Sequence, residues 1–106
     1  MDKIHFQKII KGMKEPWQPK DIAYINDTAM RVAKIDGEYH WHTHREEDEF
    51  FYVLKGSIYI DTESESIALN QGEGLVVKKG VRHRSRAKKP AWVLLIELIK
   101  TKTKGE

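Results

Sequence analysis

From Asp21 to Ile99 the chain is cut into short β-prone runs by regularly placed turn residues, and that rhythm restricts the fold more than any other feature. The expected strands cover 22–26, 29–35, 39–44, 49–54, 57–61, 66–69, 75–78, 81–87 and 91–99. Asp36-Gly37, Lys55-Gly56, Asn70-Gln71-Gly72 and Lys79-Gly80 punctuate them. The run 91–99 is the most apolar and is expected in the core. Many short strands at roughly even spacing predict an all-β, antiparallel sandwich or barrel. The first dozen residues are ambiguous. Phe6, Ile9, Ile10 and Met13 have helical spacing, but a strand fits nearly as well. A proline-punctuated link, Glu15-Pro16-Trp17-Gln18-Pro19, follows. The expected organisation is an N-terminal segment at 1–20 packing on the barrel or on a dimer partner, a barrel at 21–99 and a polar, flexible tail at 100–106.

A chain of 106 residues suits one domain. No apolar run approaches the roughly 20 residues of a membrane span. Met1-Asp2-Lys3-Ile4-His5 lacks a signal-peptide apolar region, and there is no cysteine. The expected location is cytoplasmic. Without thiolates, any metal site must be built from imidazole and carboxylate. The net charge is only +3, with a local excess at Lys78, Lys79, Arg82, Arg84, Arg86, Lys88 and Lys89 and no carboxylate between them. On a strand, Arg82, Arg84 and Arg86 would share one face and His83 the other. The plainest reading of the strip is a solvated outer face, with anion attraction or a partner contact as the alternative. A nucleic-acid partner is disfavoured, because the strip lacks interleaved aromatic residues.

One stretch carries chemistry: His42-Thr43-His44-Arg45-Glu46-Glu47-Asp48-Glu49, closed by Gly56 and answered by Gly72, Gly80 and His83. Residues i and i+2 of a strand point the same way, so His42 and His44 can both face a barrel interior. Glu49 has the opposite parity on an unbroken strand. Four charged residues, Arg45 to Asp48, predict a bend that resets the register before Glu49. His83 completes the set from a distant strand. A metal site explains this combination better than four unrelated polar side chains do. An alternative register would pair His40 with His42 and use Glu46, but Gly56 then falls at the wrong distance. His40 is therefore expected beside the site, facing substrate or supporting a ligand, or else as a partly buried polar side chain. His5 has no partner in sequence.

These residues resemble the cupin superfamily, and specifically its small single-domain (monocupin) metal-binding members. Gly37, His42, His44, Glu49 and Gly56 match the family's first motif, and Gly72, Gly80 and His83 match the second. The chain departs from the pattern in three places. Four residues separate Gly37 from His42, Lys78 replaces a proline, and Ala87 replaces an asparagine. A narrower likeness, through Trp17-Gln18-Pro19-Lys20, Asn26-Asp27 and Gly37-Glu38-Tyr39-His40-Trp41-His42, is to small stand-alone bacterial and archaeal cupins.

The resemblance implies a double-stranded β-helix, the jelly-roll barrel. It also implies a divalent transition metal (Fe, Mn, Zn, Ni or Cu) on His42, His44, Glu49 and His83. Tyr39, Phe51, Tyr59 and Trp92 are the candidates for contacting substrate, with Val77 as a further lining residue, and His40 is the candidate catalytic group. Trp17 and Trp41 would cover the barrel or pack at a subunit interface. The expected function is a metal-dependent enzyme acting on a small oxygen-rich metabolite, of dioxygenase, isomerase or lyase type. The alternative is a non-catalytic small-molecule-binding or sensing module with a metal anchor. A homodimer is expected, because exposed edge strands invite pairing.

Overall fold

The computed structural model describes residues 1–102 and Gly105. Among them are one helix, α1 (Phe6–Gly12), and seven strands: β1 (Lys20–Ile25), β2 (Thr28–Glu38), β3 (Glu49–Lys55), β4 (Ser57–Thr62), β5 (Ser66–Asn70), β6 (Gly74–Val77) and β7 (His83–Leu98). All pairings are antiparallel. The strands run in the order β1-β2-β7-β3-β6, with β4 joining β7 and β5 joining β4. This is the antiparallel all-β architecture expected from the strand rhythm, and the jelly-roll fold that the resemblance implies. No described helix is long and apolar enough to cross a membrane.

The long strand β7 organises the barrel. Its first part, from His83 to Arg86, pairs with β4, and its second part pairs with β3. β2 runs beside it from Leu98 back to Arg86. Alternation along the strands builds two apolar faces. Ala33, Ile35, Phe51, Val53, Ile58 and Ile60 point inward with Ala91, Val93 and Leu95. On the opposite face Val32 and Leu94 meet Met13, flanked by Phe6, Ile9, Trp92 and Ile96.

The first-dozen ambiguity resolves as a helix lying on that outer face. Seven residues are too few for a stable isolated helix, so packing supplies its stability. Ile10 and Met13 are the buried anchors. Trp92 Nε1 donates to the Met13 carbonyl at 3.3 Å, and Lys34 Nζ donates to that of Lys14 at 2.8 Å.

Three strand boundaries differ from expectation. The segment 39–44 is not a strand and keeps only a bridge between His42 and His83. The His40 carbonyl that a ladder would use is taken instead by His42 Nδ1, at 2.9 Å. The expected strands at 81–87 and 91–99 fuse into β7, with exposed Lys88, Lys89 and Pro90 passing through as strand. Asp36-Gly37 does not reverse the chain. Gly37, at φ +80°, forms an irregularity in β2 where the register against β7 shifts.

Gly56 does make the turn between β3 and β4, at φ +89°. A Cβ there would lie 3.0 Å from Ala91 Cβ, so both conformation and space favour glycine. Of the tail set apart at 100–106, Thr103, Lys104 and Glu106 lie outside the described residues. Thr101 is buried, and its carbonyl accepts from Arg31 Nη1 at 3.0 Å.

Candidate metal centre

The irregular segment before the bend delivers two imidazoles to the barrel interior. Backbone bonds of 2.9 Å in both directions between His42 and His83 hold it against the start of β7. With that anchor, alternation persists from Trp41 to His44 without a full ladder: His42 and His44 are buried and Trp41 and Thr43 half-buried, while His40, of the same parity as the two buried histidines, lies exposed before it. Residues 45 to 48 bend as the charged run predicts. Asp48 Oδ1 accepts from the Lys79 amide at 2.9 Å and ties the bend to the turn before β7. Glu49 then opens β3 pointing inward, with Phe51 and Val53 on its face.

The four side chains converge. One ligand atom from each of His42, His44, Glu49 and His83 lies within 4.8 Å of the others. Their residues are only 4%, 5%, 2% and 1% exposed. Glu49 Oε1 is 3.3 Å from His44 Nε2 and 3.5 Å from His83 Nε2. None of those three atoms has a hydrogen-bond partner among the described residues, although all are buried. Buried polar atoms without partners are costly and rare, and a shared cation would satisfy all three together.

The backbone selects the donor atoms. His42 Nδ1 faces the His40 carbonyl at 2.9 Å, and His83 Nδ1 faces that of Val81 at 3.0 Å. A carbonyl can only accept, so each Nδ1 carries the hydrogen and each Nε2 keeps its lone pair for a metal. The donor set therefore fits a divalent metal.

Protonation follows the same geometry. Burial holds His42 neutral, with its pKa pushed down to about 4, and the neighbouring His83 and His44 oppose its charge as well. Burial also opposes charge on His44, but the Glu49 carboxylate outweighs it and raises His44. Glu49 is pulled down despite burial, by His44, His83 and Glu97. Tyr39 is raised, first by burial and then by the Glu49 charge, so it stays a phenol.

A narrow cavity opens beside the cluster. His42, Glu49, Tyr39 and Ser85 line its polar side, and Trp17, Ala33, Phe51 and Val93 are among its apolar walls. The space open to the centres of water-sized molecules is about 30 Å³, where one water needs roughly 10–15 Å³ on that measure. Trp17 stacks on Tyr39 with ring centroids 4.7 Å apart, and Tyr39 lies 4.1 Å from His40. Trp17 thus covers the barrel, held at φ +63° by a bond from Nε1 to the Asp36 carbonyl.

The other sequence candidates fall elsewhere. Val77 packs in the barrel core, outside the lining of this cavity. Tyr59 faces outward under the Arg86 guanidinium, 4.2 Å from its ring centroid. Trp92 lies on the helix-covered face, between Lys34 and Lys55. Trp41 sits under Arg82 and Arg84. The basic strip is less free than a solvated face would be. Arg84 Nε and Arg86 Nε both donate to Asp61 Oδ2, at 3.0 and 2.7 Å.

Sequence reasoning missed Glu97 and Arg31, both buried, with Glu97 opposite Glu49 of the His/Glu cluster. Each is a charged residue inside an apolar run at inward parity, and that was the available signal. Arg31 Nη1 donates to Glu97 Oε1 at 2.6 Å. Burial and the adjacent Glu49 push the Glu97 pKa upward.

The cupin domain family pattern matches residues 29–97. The chain is 38% identical over 80 residues to the uncharacterised protein YdbB of Bacillus subtilis, covering 74% of this chain and 71% of that protein. Its fold superposes on a cupin-2 domain containing protein from Shewanella frigidimarina with a TM-score of 0.88 and 35% identity, over 90% of this chain and 93% of the other. Protein NMB1881 from Neisseria meningitidis follows with a TM-score of 0.83 and 32% identity, over 92% and 99%. With its domain pattern, its jelly-roll barrel and its buried His/Glu cluster in agreement, the chain belongs to the cupin family.

Proposed function

We propose that this cupin holds one divalent transition metal (Fe, Mn, Zn, Ni or Cu) on His42, His44, Glu49 and His83. In this reading the metal anchors a small oxygen-rich metabolite for dioxygenase, isomerase or lyase chemistry. The observation that carries the proposal is the set of three buried, partnerless ligand atoms converging beside a cavity. Three neutral imidazoles and one carboxylate leave a divalent ion with a net charge of about +1, and an octahedral ion would keep two positions open. The bound metal would supply Lewis acidity, or dioxygen chemistry if it is iron.

The protein's own residues do the rest. Trp17 and Phe51 wall the cavity and exclude water, and Ser85 and Tyr39 offer hydroxyls along it. The narrow space selects a ligand with a compact chelating end. His40, exposed at the rim against Tyr39, is assigned proton handling for the part of a substrate that projects outward. One observation favours a second reading, a binding or sensing module. Among the described residues, the one titratable side chain lining this cavity apart from the ligands is Tyr39, whose raised pKa makes it a poor base at neutral pH. We also propose a homodimer through the β1 edge, where Tyr24 and Ile25 are 59% and 57% exposed.

The test is elemental analysis of protein purified without a histidine tag, alongside His83→Ala. About one equivalent of metal in the parent and little in the variant is the expected result. No metal in either, even after reconstitution, would overturn the metal site. An identified metal would then direct the assay: oxygen consumption for iron, isomerase and lyase screens for the others. Sedimentation of the parent and Ile25→Lys tests the dimer separately.

A further inference from the structure

Two carboxyls face one another across the β3–β7 ladder. Phe50 pairs with Ile96 and Phe51 with Leu95, so one further step sets Glu49 opposite Glu97. Both point inward and are 2% exposed. Directly opposed like charges destabilise a sheet, and burial sharpens the cost. Opposed on the ladder and both buried, the two carboxyls are neighbours, and the structure sets a cation against the pair. Arg31, inward on β2 and 8% exposed, closes on Glu97 Oε1 from the far side at 2.6 Å.

Arg31 has no slack in this arrangement. Its Nε donates to Asp21 at 2.8 Å, Nη1 also donates to the Thr101 carbonyl at 3.0 Å, and Nη2 donates to the Ile99 carbonyl at 2.9 Å. Every edge of the guanidinium is used, so Glu97 is pinned to a fixed point. Val93 and Leu95 precede Glu97 at the same parity. An apolar residue at this position would fill the barrel without desolvating an ion pair, and buried pairs seldom add net stability. The polar pair therefore calls for a role other than stability.

We propose that Glu97, clamped by Arg31, is a positioning residue for Glu49, holding its carboxylate so that Oε1 stays aimed at His44 Nε2 and His83 Nε2. The inference rests on the metal reading of that cluster. Partners that orient a ligating carboxylate commonly change metal affinity by about 10–100-fold when lost.

The experiment uses metal-stripped full-length protein titrated with Zn²⁺, with Co²⁺ absorption as a reporter of ligand geometry. Glu97→Leu should weaken Zn²⁺ binding about 10–100-fold and alter the Co²⁺ spectrum. Glu97→Gln should bind within about threefold of the parent, because its amide oxygen accepts from Arg31 and its amide N–H donates to Glu49. Should Glu97→Leu not fold, Glu97→Asp draws the carboxyl back from both Arg31 and Glu49, and a loss of several-fold is expected. Parent-like affinity and spectrum in the Leu or Asp variant would overturn the proposal, as would a Gln variant as weak as Leu. If the parent itself takes up no metal, the metal reading fails on its own. Positions 49 and 97 are then compared in metal-free thermal unfolding of Glu49→Gln, Glu97→Gln and the double variant. Non-additive midpoints support the contact, and strictly additive ones overturn it.

Discussion

Replacing Asp61 with Asn should uncouple the basic strip from the barrel, and its cost can be worked from the geometry. Asp61 is 4% exposed and accepts from Arg84, Arg86 and Ser66, the last at 2.6 Å. Burial pushes its pKa up, but the bonds from Arg86, Ser66 and Arg84 outweigh burial and hold it at about 2. A carboxyl held at about 2 rather than 3.8 contributes about 2.4 kcal/mol to stability at neutral pH. The two arginine side chains are each 24% exposed, and solvent screening brings the expected figure to about 1.5–2 kcal/mol. Asn keeps the shape but turns an amide nitrogen towards a guanidinium, so the loss should be realised in full.

For a domain of this size the midpoint should fall by about 7–9 °C. Because the folded pKa is depressed, the contribution is present above pH 3.8 and disappears as pH falls towards 2. Urea unfolding of parent and Asp61→Asn, both in chelator, should show a gap at pH 7 that closes by about pH 2. A gap under about 0.5 kcal/mol at pH 7 would refute the charge reasoning. So would a gap that persists unchanged at pH 2, since only packing could then explain it.

Metal retention should fall below about pH 6 as protons compete for the imidazoles, with His44, drawn upward by Glu49, protonating before His42, whose pKa is about 4. Unchanged metal content after dialysis at pH 5 would count against the site. His40→Ala should spare metal binding while His83→Ala abolishes it, because His40 contributes its backbone carbonyl rather than its ring. Metal analysis of the two variants checks this, and loss of metal in His40→Ala would refute it. Gly56→Ala should destabilise by about 1–3 kcal/mol, since alanine must adopt φ +89° with its Cβ 3.0 Å from that of Ala91. A thermal midpoint equal to the parent's would show that the turn relaxes freely.

Local chemistry was legible wherever a short-range rule governs it. The i, i+2 parity of His42 and His44, the charged bend before Glu49 and the turn at Gly56 each depend on neighbours in sequence, and the structure keeps all three. Tyr59 could have been placed as well, because Ile58 and Ile60 take the inward face of β4 and leave it the outward one. Trp92 is a harder case. It lies in a run that is apolar on both parities, one facing the barrel and the other facing α1. When both faces of a strand are covered, periodicity does not say which side is the interior.

Long-range register is what sequence alone withholds, and it governs both charged clusters beyond the ligands. Asp61 meets Arg84 because β4 and β7 pair at those two residues. Glu49 meets Glu97 because β3 and β7 pair with Phe50 opposite Ile96. A slip of one residue in the second register would turn one carboxyl out of the barrel and separate the pair. Arg31 provides a lock against such a slip, since its bonds to Glu97, Ile99 and Thr101 tie β2 to the end of β7 and the segment beyond it. The same contacts that aim Glu49 therefore also resist the misregistration that would dismantle the site. That dual load explains why a buried ion pair persists where an apolar side chain would pack.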